Sequence, residues 1–199
     1  MPLSFAVTWD YRCPFARNAH EHVLAGLADG ADWDVTFLPF SLSQVHVEEG
    51  QPDVWDNPEA DSGLMGLQVA VAVRDTLPER FPAVHRALFT HRHEQGGSLR
   101  DQQALGNILK AHDIDVDPVL AEVSSGRPLA TIKAEHTACA ASHDVWGVPT
   151  FIMGDQAAFV RLMHRPEGDA IVARDTVERV VGLLGWADLN ELKHTSVPN

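Results

Sequence analysis

The spacing of apolar positions changes several times along the chain, and each change marks an element. Ser4 to Trp9 is a short apolar run with Phe5, Val7 and Trp9, which predicts a buried strand. Asp10-Tyr11-Arg12-Cys13-Pro14 breaks that pattern. From Pro14 the period becomes helical, with Phe15, Ala16, Ala19, Val23, Leu24 and Leu27 on one face. Proline at the first helical position and Gly30 just past the end are the expected punctuation. Trp33, Val35, Phe37 and Leu38 read as a second strand that closes at Pro39. Strand, helix and strand in so short a span predict a βαβ unit with a parallel pair.

His46 to Ala60 is acidic, holds Pro52 and Pro58, and has no period, so a connecting loop is expected. Ser62 is placed to cap a helix running to about Thr76, apolar enough at Leu64, Met65, Leu67, Val69, Ala70, Val71 and Val73 to be largely buried. Phe81, Val84, Leu88 and Phe89 mark a further helix. Ser98-Leu99-Arg100-Asp101 resembles a capping box leading into Leu105, Ile108 and Leu109. Asp117-Pro118 opens a short helix, and a longer one is expected from about Pro128 to His143. Strand patterns return at Thr150 to Met153 and Ala157 to Met163, joined by a Gly154-Asp155 turn. Asp175 to Leu184 closes the series as a helix. The order is βαβ, a helical block, then ββα, an α/β chain without internal repeats.

Composition narrows the function class. The 199 residues carry 15 basic and 28 acidic side chains, a formal charge of −13, with the basic residues scattered. Such a chain repels phosphate backbones and anionic membranes, so neither nucleic acid nor membrane is expected as a partner, and small-molecule chemistry is favoured. No apolar run approaches a membrane span. Two cysteines exclude a disulfide scaffold. The N-terminal residues show no basic region followed by an apolar stretch, so a cytoplasmic address with reduced thiols is the expectation.

Cys13 falls where a strand ends and a helix begins, a place where free N–H groups and the helix dipole stabilise a thiolate. Arg12 adds a neighbouring cation, and the expected consequence is a depressed thiol pKa and a nucleophilic sulfur. The plainer reading is a small buried hydrophobe, the common fate of a free cysteine. Gly147-Val148-Pro149-Thr150-Phe151 enters the third strand with proline at its start, a tolerated position.

Together these two segments resemble the thioredoxin-fold DsbA family: Cys-Pro-x-x opening a helix after a strand, with Gly-Val-Pro-Thr entering a strand much later. The helical block between the halves resembles that family too, so the likeness spans nearly the whole chain. It implies a thioredoxin-like domain of residues 1–45 and 128–199, with residues 46–127 as a helical insertion. It also implies that Pro149 is cis and packs beside Cys13, and that backbone groups around Val148 pair with a bound peptide or thiol. The chain departs from the dithiol pattern, because Ala16 stands where Cys-x-x-Cys needs its second thiol. Asp10 to Ala16 is similar to the motif of kappa-class glutathione transferases and 2-hydroxychromene-2-carboxylate isomerases, with Cys13 at their serine position. Certain DsbA-like reductases that use mycothiol or a related small thiol are similar as well.

The resemblance therefore implies a thiol-dependent oxidoreductase. Cys13 would attack a disulfide or electrophile, and an external thiol of the glutathione or mycothiol type would resolve the adduct. Pro14, Phe15, Val148, Pro149, Tyr11 and Arg12 are the candidate binding residues, with Tyr11 placed to donate a hydrogen bond to a bound sulfur or oxygen. No tightly bound cofactor is expected. A transferase or isomerase that uses a thiol cofactor is the alternative, as is a non-catalytic binding relative. The transferase and isomerase likeness also allows a homodimer. Asp10 is expected beneath the active helix, where its charge would oppose thiolate formation. Cys139 reads first as a core cysteine facing the sheet, and a resolving role would require its Cα within about 7 Å of that of Cys13. The 11 histidines do not show metal-ligand spacing. His20 and His22, like His91 and His93, lie two apart and do not share a helical face, so solvated positions are expected and no metal is assigned. His85 and His112 are expected at the surface or in the core, and His136 and His143 could approach the site on the long helix.

Overall fold

The computed structural model describes residues 1–189 and 191. At its centre is β1 (Leu3–Trp9), which pairs in parallel with β2 (Trp33–Pro39) and antiparallel with β3 (Thr150–Met153). β4 (Gln156–Phe159) pairs antiparallel with β3, so the sheet order is β2-β1-β3-β4. That is the thioredoxin-like arrangement, with the parallel pair joined through α1 (Pro14–Ala28) as the hydrophobic pattern predicts. Gly30 follows α1 at φ +80° and Gly154 turns the hairpin at φ +61°, both in the left-handed region that favours glycine.

The sheet separates two apolar cores. On one side α1 and α8 (Ala170–Leu184) pack Ala19, Val23, Val177 and Val181 against Phe5, Val7 and Phe151. The larger core joins Trp9, Tyr11 and Phe40 to the helical block, chiefly through Leu64, Leu67, Leu88 and Phe89. That block contains α2 (Leu42–Val45), α3 (Leu64–Thr76), α4 (Phe81–His93), α5 (Gln102–Ala111) and α6 (Val116–Ser124). α7 (Arg127–His143) packs against α3, α6 and β2, which ties the block to the sheet.

Several helix ends differ from the expected ones because a nearby carboxylate takes the exposed N–H groups. Asp61, not Ser62, serves α3: its Oδ1 accepts from Gly63 N and Leu64 N, each at 2.7 Å. α5 is capped by Asp101 itself, and Ser98 stands outside the helix. α6 is capped by Asp115, two residues ahead of the expected Asp117. α8 starts at Ala170 behind Asp169, whose side chain accepts from Ile171 N and Val172 N. The loop of 46–60 contains two short 3₁₀ turns, Val54–Asp56 and Pro58–Ala60. The last strand ends at Phe159 rather than Met163. Beyond it the backbone turns onto α1, where the Leu162 carbonyl accepts from Asn18 Nδ2 at 2.8 Å.

Candidate functional site

The N-terminus of α1 and the start of β3 meet at one end of the sheet, because β1 delivers the first and pairs with the second. Cys13 is the N-cap of α1, with extended backbone, and Pro14 occupies the first helical position. The Cys13 Sγ accepts from Ala16 N at 3.4 Å and donates to the Val148 carbonyl at 3.3 Å. The Val148–Pro149 peptide bond is cis, and both residues are buried. Thr150 secures this corner: its N–H donates to Thr8 Oγ1 and its hydroxyl to the Gly147 carbonyl, both at 2.8 Å. Cys13 and Phe15 are half-buried, and Pro14 is exposed beside them. The structure thus brings Cys13, Pro14, Phe15, Val148 and Pro149 together.

Arg12 and Tyr11 belong elsewhere. Arg12 turns away from the thiol and binds the fully buried Asp10, with Nε 3.0 Å from Oδ1 and Nη2 2.5 Å from Oδ2. Its Nη1 donates to Ser43 Oγ and, at 3.4 Å, to Asp61 Oδ2. Asp10 also accepts from Leu42 N at 2.9 Å, so this cluster locks the turn before Cys13 onto the helical block. Tyr11 is fully buried and donates its hydroxyl to His85 Nδ1 at 2.6 Å, which removes it from any role toward a bound sulfur. The reason is steric: its ring packs between Trp9, His85 and Phe89.

The expected depression of the Cys13 pKa is also reversed. Burial pushes the thiol up, and the charge of Asp10 adds to that. The N–H groups of Ala16 and Phe15 and the charge of Arg161 pull the other way without prevailing. The resting group is a thiol, consistent with its donation to the Val148 carbonyl.

His20 and His22, expected in solvated positions, are core groups instead, and His85 takes the core alternative. His20 and His85 are fully buried and His22 nearly so. His20 Nε2 lies 3.1 Å from the Thr8 carbonyl, which only accepts, so Nε2 carries the proton and Nδ1 accepts from His85 Nε2 at 2.9 Å. His85 Nδ1 is then left to accept from Tyr11. Both imidazoles are held neutral: burial lowers His20 to about 4 and His85 well below the usual range. His93 Nε2 donates to the Tyr11 carbonyl at 2.8 Å. His136 packs against Phe40 with ring centroids 4.0 Å apart and the planes tilted by 33°, and His143 reaches the Gly154 carbonyl at the opposite end of β3. Among the described residues no group of three or more His, Cys, Asp or Glu is arranged to hold a metal ion.

Cys139 is buried in the larger core, its thiol raised to about 11 by burial, and both cysteines are unpaired. Arg161 is the site residue the pattern did not single out. It lies over the Phe15 ring, with Cζ 4.2 Å from the ring centroid. Its stretch reads as strand, and nothing local in sequence brings it to α1.

A model of the DSBA-like thioredoxin domain matches residues 7–165. The chain belongs to that family. No curated protein sequence matches it. Among solved structures, this DSBA-like chain is similar to the thiol-disulfide exchange protein α-DsbA2 from Wolbachia pipientis, at 20% identity and a TM-score of 0.61 over 89% of this chain and 81% of that one. It is similar also to a 2-hydroxychromene-2-carboxylate isomerase, at 14% identity and a TM-score of 0.63 over 95% of this chain and 100% of that one. A periplasmic thioredoxin-like protein from Salmonella enterica serovar Typhimurium shows 17% identity and a TM-score of 0.60 over 91% and 83% of the two chains. At these identities the likeness is one of fold. No helix among the described residues is long and apolar enough to cross a membrane.

Proposed function

We propose that this DSBA-like protein is a thiol-dependent oxidoreductase with one reactive cysteine. The observation that carries the reading is Cys13 Sγ at the first turn of α1, bonded to Ala16 N and set against the Val148 carbonyl, with alanine where a second thiol would stand. The Cys13 thiol loses its proton to solvent, and the thiolate attacks one sulfur of a disulfide substrate. A mixed disulfide forms at Cys13 and the other half of the substrate leaves as thiolate. An external small thiol, as thiolate, then attacks the substrate sulfur of the mixed disulfide and returns Cys13 as thiolate. The raised pKa lowers the thiolate fraction at neutral pH but makes each thiolate more nucleophilic, with a Brønsted coefficient of roughly 0.4–0.5, so only part of the rate is lost. The reading places the protein in a reducing compartment that supplies small thiols.

A second reading rests on the burial of Cys13, which keeps the group protonated. As a thiol it would donate a hydrogen bond to the sulfur of a bound thiol cofactor, in a transferase or isomerase. Cys13→Ser separates the two. The oxidoreductase reading expects loss of disulfide exchange in the variant, and comparable turnover by variant and wild type would overturn it.

A further inference from the structure

Arg161 is the one functional-looking group at the site that the proposed chemistry has not used. The chain is strongly acidic, yet this guanidinium stands beside the thiol with no acidic partner among the described residues. Arg165, four positions on, is tied to Glu21 and Glu94. Arg12, next to Cys13 in sequence, is spent on Asp10. Among the described residues, Arg161 is therefore a cation left available at the reactive end of the molecule.

Its position is fixed from three directions. The preceding residue donates from Val160 N to the Pro149 carbonyl at 3.0 Å, which ties the backbone to the residue beside Cys13. The following residue accepts at its carbonyl from Asn18 Nδ2 of α1 at 2.8 Å. The side chain itself lies over Phe15, two residues after Cys13. A guanidinium held over an aromatic ring still offers the planar fork of N–H donors that fits a carboxylate. Phe15 thus preorganises the cation at the cost of little further side-chain entropy on binding.

We propose that Arg161 selects carboxylate-bearing thiols and disulfides as the small co-substrates of Cys13. The inference rests on the oxidoreductase reading above. A substrate carboxylate seats on the Arg161 guanidinium while its sulfur meets Cys13. The charge of Arg161 also favours the Cys13 thiolate, so its removal slows every reagent. A ratio of two reagents cancels that general effect.

The test compares the dianionic disulfide 5,5′-dithiobis(2-nitrobenzoate) with neutral 2,2′-dithiodipyridine on the full chain, following the first thiol equivalent. Arg161→Gln is expected to lower the ratio of the anionic to the neutral rate constant roughly three- to fivefold, the size of an exposed ion pair, and Arg161→Glu to lower it further. Lys110→Gln, which removes the same charge from α5, is expected to leave the ratio at its wild-type value. An unchanged ratio in both Arg161 variants would overturn the inference. Cys13→Ser run alongside tests the reading beneath it. If that variant reacts as wild type does, the oxidoreductase reading fails whatever the ratio shows. If it is inert while the Arg161 variants keep the wild-type ratio, only the selection by Arg161 fails.

Discussion

The Tyr11 hydroxyl donates to His85 Nδ1 at 2.6 Å with both side chains excluded from solvent. Through His85 and His20 that bond continues to the Thr8 carbonyl, so a single run of neutral donors and acceptors crosses from the active-site turn to the C-terminal end of β1. Each imidazole has one partner on each side, and losing either ring strands buried polar groups.

Substituting Tyr11→Phe is expected to cost about 1–3 kcal/mol in urea unfolding, because His85 Nδ1 loses its donor. Its Cys13 alkylation rate stays within about twofold of wild type, since the hydroxyl faces the core and lies outside the reach of the general 1 kcal/mol-scale effects at the thiol. A tenfold slower reaction without loss of stability would place the hydroxyl at the site after all. His85→Leu strands partners on both sides and is expected to be the more damaging change.

Stability is expected to fall in mild acid. His20 is held to about 4 in the folded chain, against about 6.5 for a free imidazole. The unfolded state therefore binds more protons between these values. The stabilisation from keeping His20 neutral is complete above about pH 6.5 and is lost as pH falls toward 4, by about 3 kcal/mol. His136, lowered to about 4 by burial, acts in the same direction. Thermal melts from pH 7.5 to 4.5 check this, and a flat Tm over that range would contradict it.

Asp10→Asn is expected to separate reactivity from stability. Removing the buried charge beneath Cys13 moves the pH midpoint of alkylation down, since that charge adds to the burial that raises the thiol. The same change leaves the Arg12 guanidinium without its main partner and costs about 3 kcal/mol or more of stability. Iodoacetamide rates against pH, read beside urea melts of the same variant, report both effects. In the wild type that midpoint is expected above the ordinary thiol value, because burial raises the thiol.

Cys139 is expected to be silent in the native protein. With its thiol buried and raised to about 11, iodoacetamide at pH 8 should modify one equivalent, and the second should react only after unfolding. Fast reaction of two equivalents in the folded chain would show that Cys139 is reachable from solvent.

Much of the fold was legible from period and punctuation alone. Phe5, Val7 and Trp9 mark β1, Pro14 opens α1, Gly30 closes it, and Gly154 turns the hairpin, because strand alternation, helix starts and positive φ are decided by residues a few positions apart. The sequence by itself also determined that Cys13 caps a helix and that no second thiol stands one turn away. Tertiary structure decided which polar groups were left for chemistry. Arg12 adjoins Cys13 in sequence, but Asp10, Ser43 and Asp61 claim it, whereas Arg161 comes from the far end of the chain to stand on Phe15. His20 looks like a surface residue by spacing and His85 fits either surface or core, yet the two become a buried pair across two helices. The Cys13 pKa turns on the same distinction. Helix N–H groups, readable from local sequence, lower it, while burial and a buried carboxylate, set by the packing of distant segments, raise it more.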